Sequence, residues 1–105
     1  MQAPNEIIHQ SLRLRIMAAL NAMGDGEPLE FTRLRSIVQA TDGNLGAHLM
    51  TLEEAGYVRT KKDFAGRKPR TRVTMTAAGR RAFEQHVAYL RNVIDGAVAG
   101  EEGPA

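Results

Sequence analysis

The spacing of apolar side chains changes at Gly56, and this change constrains the fold more than any other feature of the sequence. Before it, apolar residues recur at the spacing of one helical face: Leu45, Leu49 and Leu52. After it, side chains in residues 57–62 and 70–75 alternate between two faces, as they do in β-strands. The pattern therefore predicts a helix that leads into a β-hairpin.

The segment between the two predicted strands, residues 64–69, has the composition of a turn. Gly66 relaxes the backbone there, and Pro69 limits strand pairing. Arg67 and Lys68 make the tip basic. Along the second strand, alternate side chains are expected to point inward (Thr71, Val73 and Met75) and outward (Arg70, Arg72 and Thr74).

Helical spacing also marks the start of the chain. A first helix is predicted over residues 5–23, with Asn5 as its N-cap and Gly24 after its end. Its main apolar stripe faces the core, and a second, thinner apolar set lies on another side: Ile7, Leu14 and Met17. A helix that is apolar on two sides needs two partners, and the second partner is predicted to be another copy of the chain.

Two shorter helices are predicted after an extended segment at residues 28–31. Thr32 caps the first, over residues 33–39, and its inward-facing residues are Leu34, Ile37 and Val38. Thr41 opens the second, over residues 42–55, and a glycine follows it. Two short helices separated by about two residues form a helix-turn-helix.

A long last helix is predicted over residues 77–98, capped by Thr76 and apolar along the stripe Phe83, Val87, Leu90 and Ile94. This helix is longer than a domain of this size covers, and an exposed apolar face is unfavourable in water. Part of the stripe is therefore predicted to form a homodimer interface with the first helix. The interface residues are Ile7, Leu14, Met17, Val87, Leu90 and Ile94. The same stripe would also suit core packing in a monomer.

The composition fits one domain of a cytoplasmic protein. The 105-residue chain has room for one core, assigned to residues 1–99, and residues 100–105 are expected to be a disordered tail. The chain has no cysteine and no apolar run long enough to span a membrane. The three histidines share no ligand spacing, so neither a metal nor a cofactor is predicted. His48 is expected to be partly buried and bonded to neighbouring backbone.

Positive charge is concentrated in the predicted hairpin and the start of the last helix. Residues 59–81 contain nine basic residues and a single acidic one, Asp63, for a net charge of +8, whereas the whole chain carries +2. Such asymmetry is typical of a surface that binds a polyanion. A basic run is also often plain solvated surface.

Together these elements predict an α+β, mostly α, fold: a winged helix-turn-helix with a two-stranded wing and a long C-terminal helix. In this geometry the third helix enters the major groove of double-stranded DNA, and the wing meets phosphates or the minor groove. A helical wheel points Ala47 outward, flanked by Asn44 and Thr51, so these three are predicted to contact bases. The predicted backbone contacts are Thr41 and Gly43 at the helix N-terminus and Arg67, Lys68, Arg70 and Arg72 in the wing.

The chain resembles the MarR/ArsR-like winged-helix transcriptional regulators through two runs, Thr41-Asp42-Gly43-Asn44-Leu45-Gly46-Ala47-His48-Leu49 and Leu52-Glu53-Glu54-Ala55-Gly56-Tyr57-Val58. More narrowly, it resembles the compact "winged helix DNA-binding domain" family. This likeness continues through Phe64-Ala65-Gly66-Arg67-Lys68-Pro69-Arg70-Thr71 and Met75-Thr76-Ala77-Ala78-Gly79-Arg80, and it covers about residues 6–95. The resemblance implies a dimeric transcriptional regulator whose wing and third helix bind operator DNA. Relatives often carry Ser and Arg where this chain has Gly46 and Ala47, which removes a strong reader of guanine.

A second hypothesis is a winged-helix module that binds another protein, which the outward-facing Ala47 and Met50 would suit. The concentrated charge of the wing argues against it, because a protein partner does not need such a charge. Catalysis has no support, since the sequence shows no phosphate loop, nucleophile elbow or acid/base pair. An effector would have to bind at the dimer interface, and the sequence identifies none.

Overall fold

The computed structural model describes residues 3–102, and for residues 98–102 it describes the helical backbone alone. Within this range the elements are, in chain order, α1 (Ser11–Asn21), β1 (Leu29–Glu30), α2 (Phe31–Val38), α3 (Asp42–Glu54), β2 (Val58–Ala65), β3 (Lys68–Met75) and α4 (Ala77–Glu102). The strands form an antiparallel sheet in the order β1-β3-β2. The predicted winged helix-turn-helix fold is confirmed. The sheet has a third strand, because the extended segment before α2 pairs with β3 through Leu29 and Val73.

The first helix is shorter than predicted because the chain has two consecutive caps. The side-chain oxygen of Asn5 accepts hydrogen bonds from the backbone N–H groups of Ile7 and Ile8, each at 3.0 Å, and so caps an isolated turn. The side chain of Gln10 then accepts one from the N–H of Arg13 at 2.8 Å and opens α1. The helix is therefore preceded by a separate turn rather than continuous from residue 5.

The second helix also begins differently. α2 follows β1 directly, so Glu30 occupies the N-cap position, and Thr32 lies inside the helix instead of capping it. Leu34 and Val38 are buried as predicted, but Ile37 is 52% exposed rather than inward-facing. The core side of α2 is a narrow stripe of residues four apart.

The third helix agrees with its prediction at both ends. The hydroxyl of Thr41 accepts a hydrogen bond from the N–H of Asn44 at 3.1 Å and caps α3. Gly56, with a φ of +82°, provides the left-handed backbone that ends the helical segment. The core stripe of α3 is buried as predicted, in Leu45, Leu49 and Leu52.

The hairpin is longer and its turn tighter than predicted. β2 and β3 pair out to Ala65 and Lys68, leaving a two-residue turn in which Gly66 has a φ of +66°. Phe64 and Pro69 therefore form a cross-strand pair instead of belonging to the turn. Pro69 is tolerated because it lies at the start of β3, before the part of that strand that β1 covers.

One junction fixes the start of α4 against the end of α3 and the base of the hairpin. The Thr76 hydroxyl donates a hydrogen bond to the carbonyl of Gly56 at 2.6 Å and accepts one from the N–H of Gly79 at 2.9 Å. The N–H of Thr76 also donates to the carbonyl of Tyr57 at 3.1 Å. A Cβ on Gly79 would overlap the carbonyl group of Tyr57, so this close approach requires glycine.

The core includes Met17, which corrects one predicted interface residue. Met17 is fully buried within its own chain, so α1 places both of its apolar sides mainly against this core and Met17 cannot contact a second copy. Ile7, Leu14 and Val87 are partly buried at the edge of the same core.

The last helix continues past the expected domain boundary at residue 99. Its backbone is helical to Glu102, and residues 103–105 of the expected tail lie outside the described residues. Despite this length, none of the helices described in residues 3–102 is long and apolar enough to cross a membrane.

Two of the histidines meet, although they are 77 positions apart in the sequence. His86 is 1% exposed, and its Nδ1 accepts a hydrogen bond from the N–H of Asn5 at 3.1 Å. Its proton must then lie on Nε2, which faces Nδ1 of His9 at 3.4 Å. Tyr89 stacks on the His86 ring with centroids 5.8 Å apart. Among the described residues, no group of three His, Asp or Glu side chains converges as a metal site.

His48 is half-buried, as predicted, but its hydrogen-bond partner differs from the predicted one. Its Nδ1 lies 3.0 Å from a guanidinium nitrogen of Arg13 in α1, and Arg13 can only donate. The partner is therefore a side chain of another helix rather than neighbouring backbone.

The buried His86 predicts a stability that depends on pH. Burial, followed by the neighbouring His9, lowers the pKa of His86 below its ordinary value of 6.5. The folded chain therefore binds a proton at His86 less readily than the unfolded chain. The stability contributed by the neutral ring is present above pH 6.5 and is lost as the pH falls below it.

We expect the Tm to fall between about pH 8 and about pH 5, and to fall less in His86→Gln, which has no titrating ring. Thermal unfolding followed by circular dichroism at each pH measures this. An equal pH dependence in the variant and the wild type would contradict the assignment to His86.

Candidate nucleic-acid interface

The outward side of α3 is open to solvent at the predicted base-contact positions. Asn44 and Ala47 are exposed, and the side chain of Asn44 has both donor and acceptor groups at its tip. Thr51 is half-buried, and its hydroxyl donates to the carbonyl of Ala47 at 3.4 Å within the same helix. Asn44 is therefore the better placed of the two polar side chains to hydrogen-bond a ligand.

The N-terminus of α3 combines exposed backbone with a neutralised carboxylate. Thr41 and Gly43 are exposed, and the Thr41 hydroxyl is occupied by the cap. Asp42 pairs with Arg35 of α2 at 2.5 Å, which offsets a negative charge that would otherwise repel an anion here. The arrangement leaves a helix N-terminus suited to a phosphate oxygen.

A carboxylate at the end of α3 connects this helix to the hairpin. One oxygen of Glu53 accepts a hydrogen bond from the N–H of Thr60 at 2.8 Å, and the Thr60 hydroxyl lies 3.0 and 3.1 Å from the two oxygens. A groove runs beside this contact between α3 and the sheet. It is lined by Phe31, Gly46, Leu49, Met50, Glu53, Thr60, Lys62 and Thr71. The flank of α3 that carries Gly46, Met50 and Glu53 is therefore held next to one face of the hairpin.

Within residues 3–102, the structure gives no reason for the two glycines on α3, Gly43 and Gly46. Neither Gly43 nor Gly46 has a positive φ, and a Cβ built on either one meets no atom within 4 Å. Glycine in a helix interior is less favourable than alanine by about 0.5–1 kcal/mol. Because glycine has no side chain, the backbone of α3 is more accessible on this side, and the helix is less stable than it would be with alanine.

An ion cluster occupies the other face of the hairpin, which we call the wing (β2 and β3 with their turn). Asp63 binds Nε of Arg70 at 2.9 Å and a terminal nitrogen of Arg72 at 2.5 Å. These contacts lower the pKa of Asp63 from 3.8 to about 2. The hydrogen bond from Arg70 is the largest cause, and the hydrogen bond from Arg72 and the positive charges of both arginines add to it. Asp63 is therefore charged at neutral pH and holds both guanidinium groups.

Because of this cluster, two of the four predicted wing contacts are less available than expected. Arg70 and Arg72 were expected to point outward and be available, and both are half-buried and paired with Asp63. Arg67 and Lys68, at the tip, are exposed and enter no ion pair among the described residues. Arg59, Lys61 and Lys62 of β2 are also exposed and outside these ion pairs, so the available positive charge of the wing lies along β2 and at the tip.

Sequence reasoning missed these contacts for an identifiable reason. A two-residue turn at positions 66 and 67 places residue 63 opposite residue 70, as observed. The turn predicted for residues 64–69 implies the same register, but no predicted strand includes Asp63, so its pairing with Arg70 and Arg72 was not expected. The contact between Glu53 and Thr60 joins a helix to a strand, and no local pattern indicates it.

Comparison with known proteins gives consistent results. Residues 12–94 match the family described as winged helix DNA-binding domain. An uncharacterized protein of Methanocaldococcus jannaschii is 37% identical over 82 residues, which are 78% of this chain and 86% of the relative. The structure of a transcriptional regulator homologue from Pyrococcus horikoshii is similar with a TM-score of 0.80 and 33% identity, over 89% of each chain.

A MarR family transcriptional regulator from Silicibacter pomeroyi is similar with a TM-score of 0.66 and 25% identity, over 87% of this chain and 58% of that one. The neighbours are transcriptional regulators, a class that is generally not enzymatic. The chain belongs to the winged helix DNA-binding domain family, and its fold is that of the MarR-type transcriptional regulators.

Proposed function

We propose that the protein is a homodimeric transcriptional regulator that binds a short, roughly palindromic site in double-stranded DNA. The observation that carries the proposal is the contact between Glu53 and Thr60. It fixes the position of α3 relative to a wing whose available cations lie along β2 and at the tip. The protein acts in the cytoplasm and catalyses no reaction, and we assign no effector to it.

Base reading is the role of α3 in the major groove. Asn44 is exposed and can pair with the edge of an adenine, while Ala47 offers a methyl contact to thymine. Thr51 contributes less, because its hydroxyl is turned to its own helix. The N–H groups at Thr41 and Gly43 bind a backbone phosphate and fix the register of the helix.

Phosphate binding is the role of the wing tip. Arg67 and Lys68 release counterions from the duplex, which supplies much of the affinity at low salt. Arg70 and Arg72 contribute less than their charge suggests, since Asp63 offsets them.

Dimerisation is the role of the distal part of α4. The chain measures 65 Å along its longest axis and 25 and 22 Å along the others. On α4, Val93 and Ile94 are 50% and 62% exposed, and Leu90 is half-buried. An apolar surface of this kind is unfavourable in water, and in a two-fold dimer the same surface of a second copy would bury it. Ile7, Leu14 and Val87 form the edge of this interface.

The two-fold arrangement sets the spacing of the DNA site. Two copies of α3 in successive major grooves require a separation of about 34–36 Å along one face of the duplex. The site is therefore expected to contain two inverted halves one helical turn apart.

A protein-binding module is the alternative function, and the 63% exposure of Met50 favours it. Salt dependence separates the two functions. Binding of DNA weakens steeply as salt increases, whereas a module that does not bind DNA shows no such dependence on a duplex.

Charge variants of the wing test the proposed DNA contacts. Arg67→Ala should weaken binding to every duplex and reduce the salt slope by about one. Asp63→Asn should tighten non-specific binding and steepen the slope by up to about two, since it releases two guanidinium groups. Fluorescence anisotropy on a duplex of random sequence at several salt concentrations measures both. Slopes equal to the wild type in both variants would contradict this account of the wing.

Gly46→Ala tests whether α3 is kept narrow for DNA. The added methyl enters open space, so the free protein should gain about 0.5–1 kcal/mol and a higher Tm. The same methyl should weaken DNA binding, because the backbone can no longer approach the groove as closely. Gly79→Ala is the control for stability, since its methyl overlaps Tyr57 and the Tm should fall. If the Gly46→Ala protein is stabilised and binds DNA as tightly as the wild type, Gly46 does not lie in the DNA interface.

Ile94→Glu tests the dimer. A carboxylate in the centre of the apolar surface should shift the protein from dimer to monomer, because a buried unpaired charge is strongly unfavourable. Sedimentation equilibrium measures the shift, and far-ultraviolet circular dichroism checks the fold. Gln85→Glu is the matched control, since Gln85 is exposed on the opposite side of the same helix. A wild-type protein that sediments as a monomer, or an equal effect of both variants, would rule out this interface.

A further inference from the structure

The wing carries a large apolar side chain that the fold does not bury. Phe64 is 68% exposed, more than any other large apolar residue in the described part of the chain. Val93 and Ile94 have a use in the proposed dimer. Phe64 pairs with Pro69, six strand residues or about 20 Å from Met75, where the wing joins α4, so the same explanation does not apply to it.

Strand geometry gives the face from which Phe64 projects. Side chains two residues apart share a face and are about 6.5–7 Å apart along a strand. Val58, on the same face, is buried in the core, and Thr60 bonds to Glu53 of α3. Lys62 lines the groove beside α3. Phe64 is the next residue of this series, so it projects from the α3 side of the wing just beyond the groove.

The surroundings of Phe64 combine an apolar surface with positive charge. Pro69 is its cross-strand partner, and Ala65 and Gly66 add little bulk between it and the tip. Lys62 precedes it on the same face, and Arg67 and Lys68 follow at the turn. A protein surface would have to be acidic around an apolar pocket to fit this combination. A DNA minor groove fits it directly, since phosphates form its edges while sugars and base edges form its floor.

We propose that Phe64 presses into the minor groove beside Arg67 as an apolar wedge that bends the duplex at the wing. The proposal rests on the DNA binding proposed above. An apolar wedge partly unstacks one base step and kinks the DNA toward the major groove. Pyrimidine–purine steps unstack most easily, so Phe64 selects such a step at a position that no hydrogen bond reads.

The test compares Phe64→Ala with Phe64→Leu and with Ile37→Ala. The probe is a duplex of about 30 base pairs selected by the wild-type protein from a random pool, labelled at both ends for energy transfer. Anisotropy gives the affinity and its salt slope, and energy transfer gives the bend. Ile37→Ala is the matched control, because Ile37 is an exposed apolar residue outside the wing.

Phe64→Ala should lower the affinity roughly tenfold or more and reduce the bend, because the wedge is lost. Its salt slope should not change, since an apolar contact releases no counterion. Phe64→Leu should keep most of the bend, and Ile37→Ala should match the wild type. All variants should stay folded by circular dichroism, because the truncated side chains are exposed.

The wedge is overturned if Phe64→Ala binds and bends the duplex as the wild type does. It is also overturned if the affinity falls while the bend is unchanged, or if the variant alters the oligomeric state instead. These results differ from a failure of the proposed function. In that case the wild-type protein itself would show no salt-dependent binding to any duplex.

Discussion

The junction of Thr76 and Gly79 with the Gly56–Tyr57 turn is the constraint on which the rest of the structure depends. The Thr76 hydroxyl donates a hydrogen bond to the carbonyl of Gly56, which follows α3, and accepts one from the N–H of Gly79 in the first turn of α4. The base of the wing begins at the same turn. The helix assigned to DNA and the helix assigned to the dimer therefore meet at one tight contact. The separation of two α3 copies in a dimer follows from the direction in which α4 leaves this point.

Charge in the sequence and charge available at the surface are different quantities in this protein. Nine basic residues lie between positions 59 and 81. Asp63 holds two of them, and Asp25 holds Arg80 at 2.8 Å. The field that reaches a polyanion is therefore carried by fewer side chains than the sequence suggests.

Local sequence signals predicted the helices and strands well. The contacts between these elements could not be predicted from the sequence. α3 was predictable because Thr41 and Gly56 mark its ends within the sequence itself. The turn composition at 64–69 was misleading, because strand pairing extended to Phe64 and Pro69. Met17 lies on a thinner apolar side of its helix, but the fold covers both sides. The contact between His9 and His86 spans most of the chain, and no periodicity indicates it.

The hydrogen bonds between Glu53 and Thr60 have a consequence for which sequences the protein can accept. The N–H and the hydroxyl of Thr60 both donate to the carboxylate of Glu53, so a change in the distance between α3 and the base of the wing breaks two hydrogen bonds. This contact therefore helps to fix the distance between α3 and the base of the wing. For the DNA binding proposed above, a duplex whose grooves do not match this distance is disfavoured by its dimensions, independently of the identity of its base pairs.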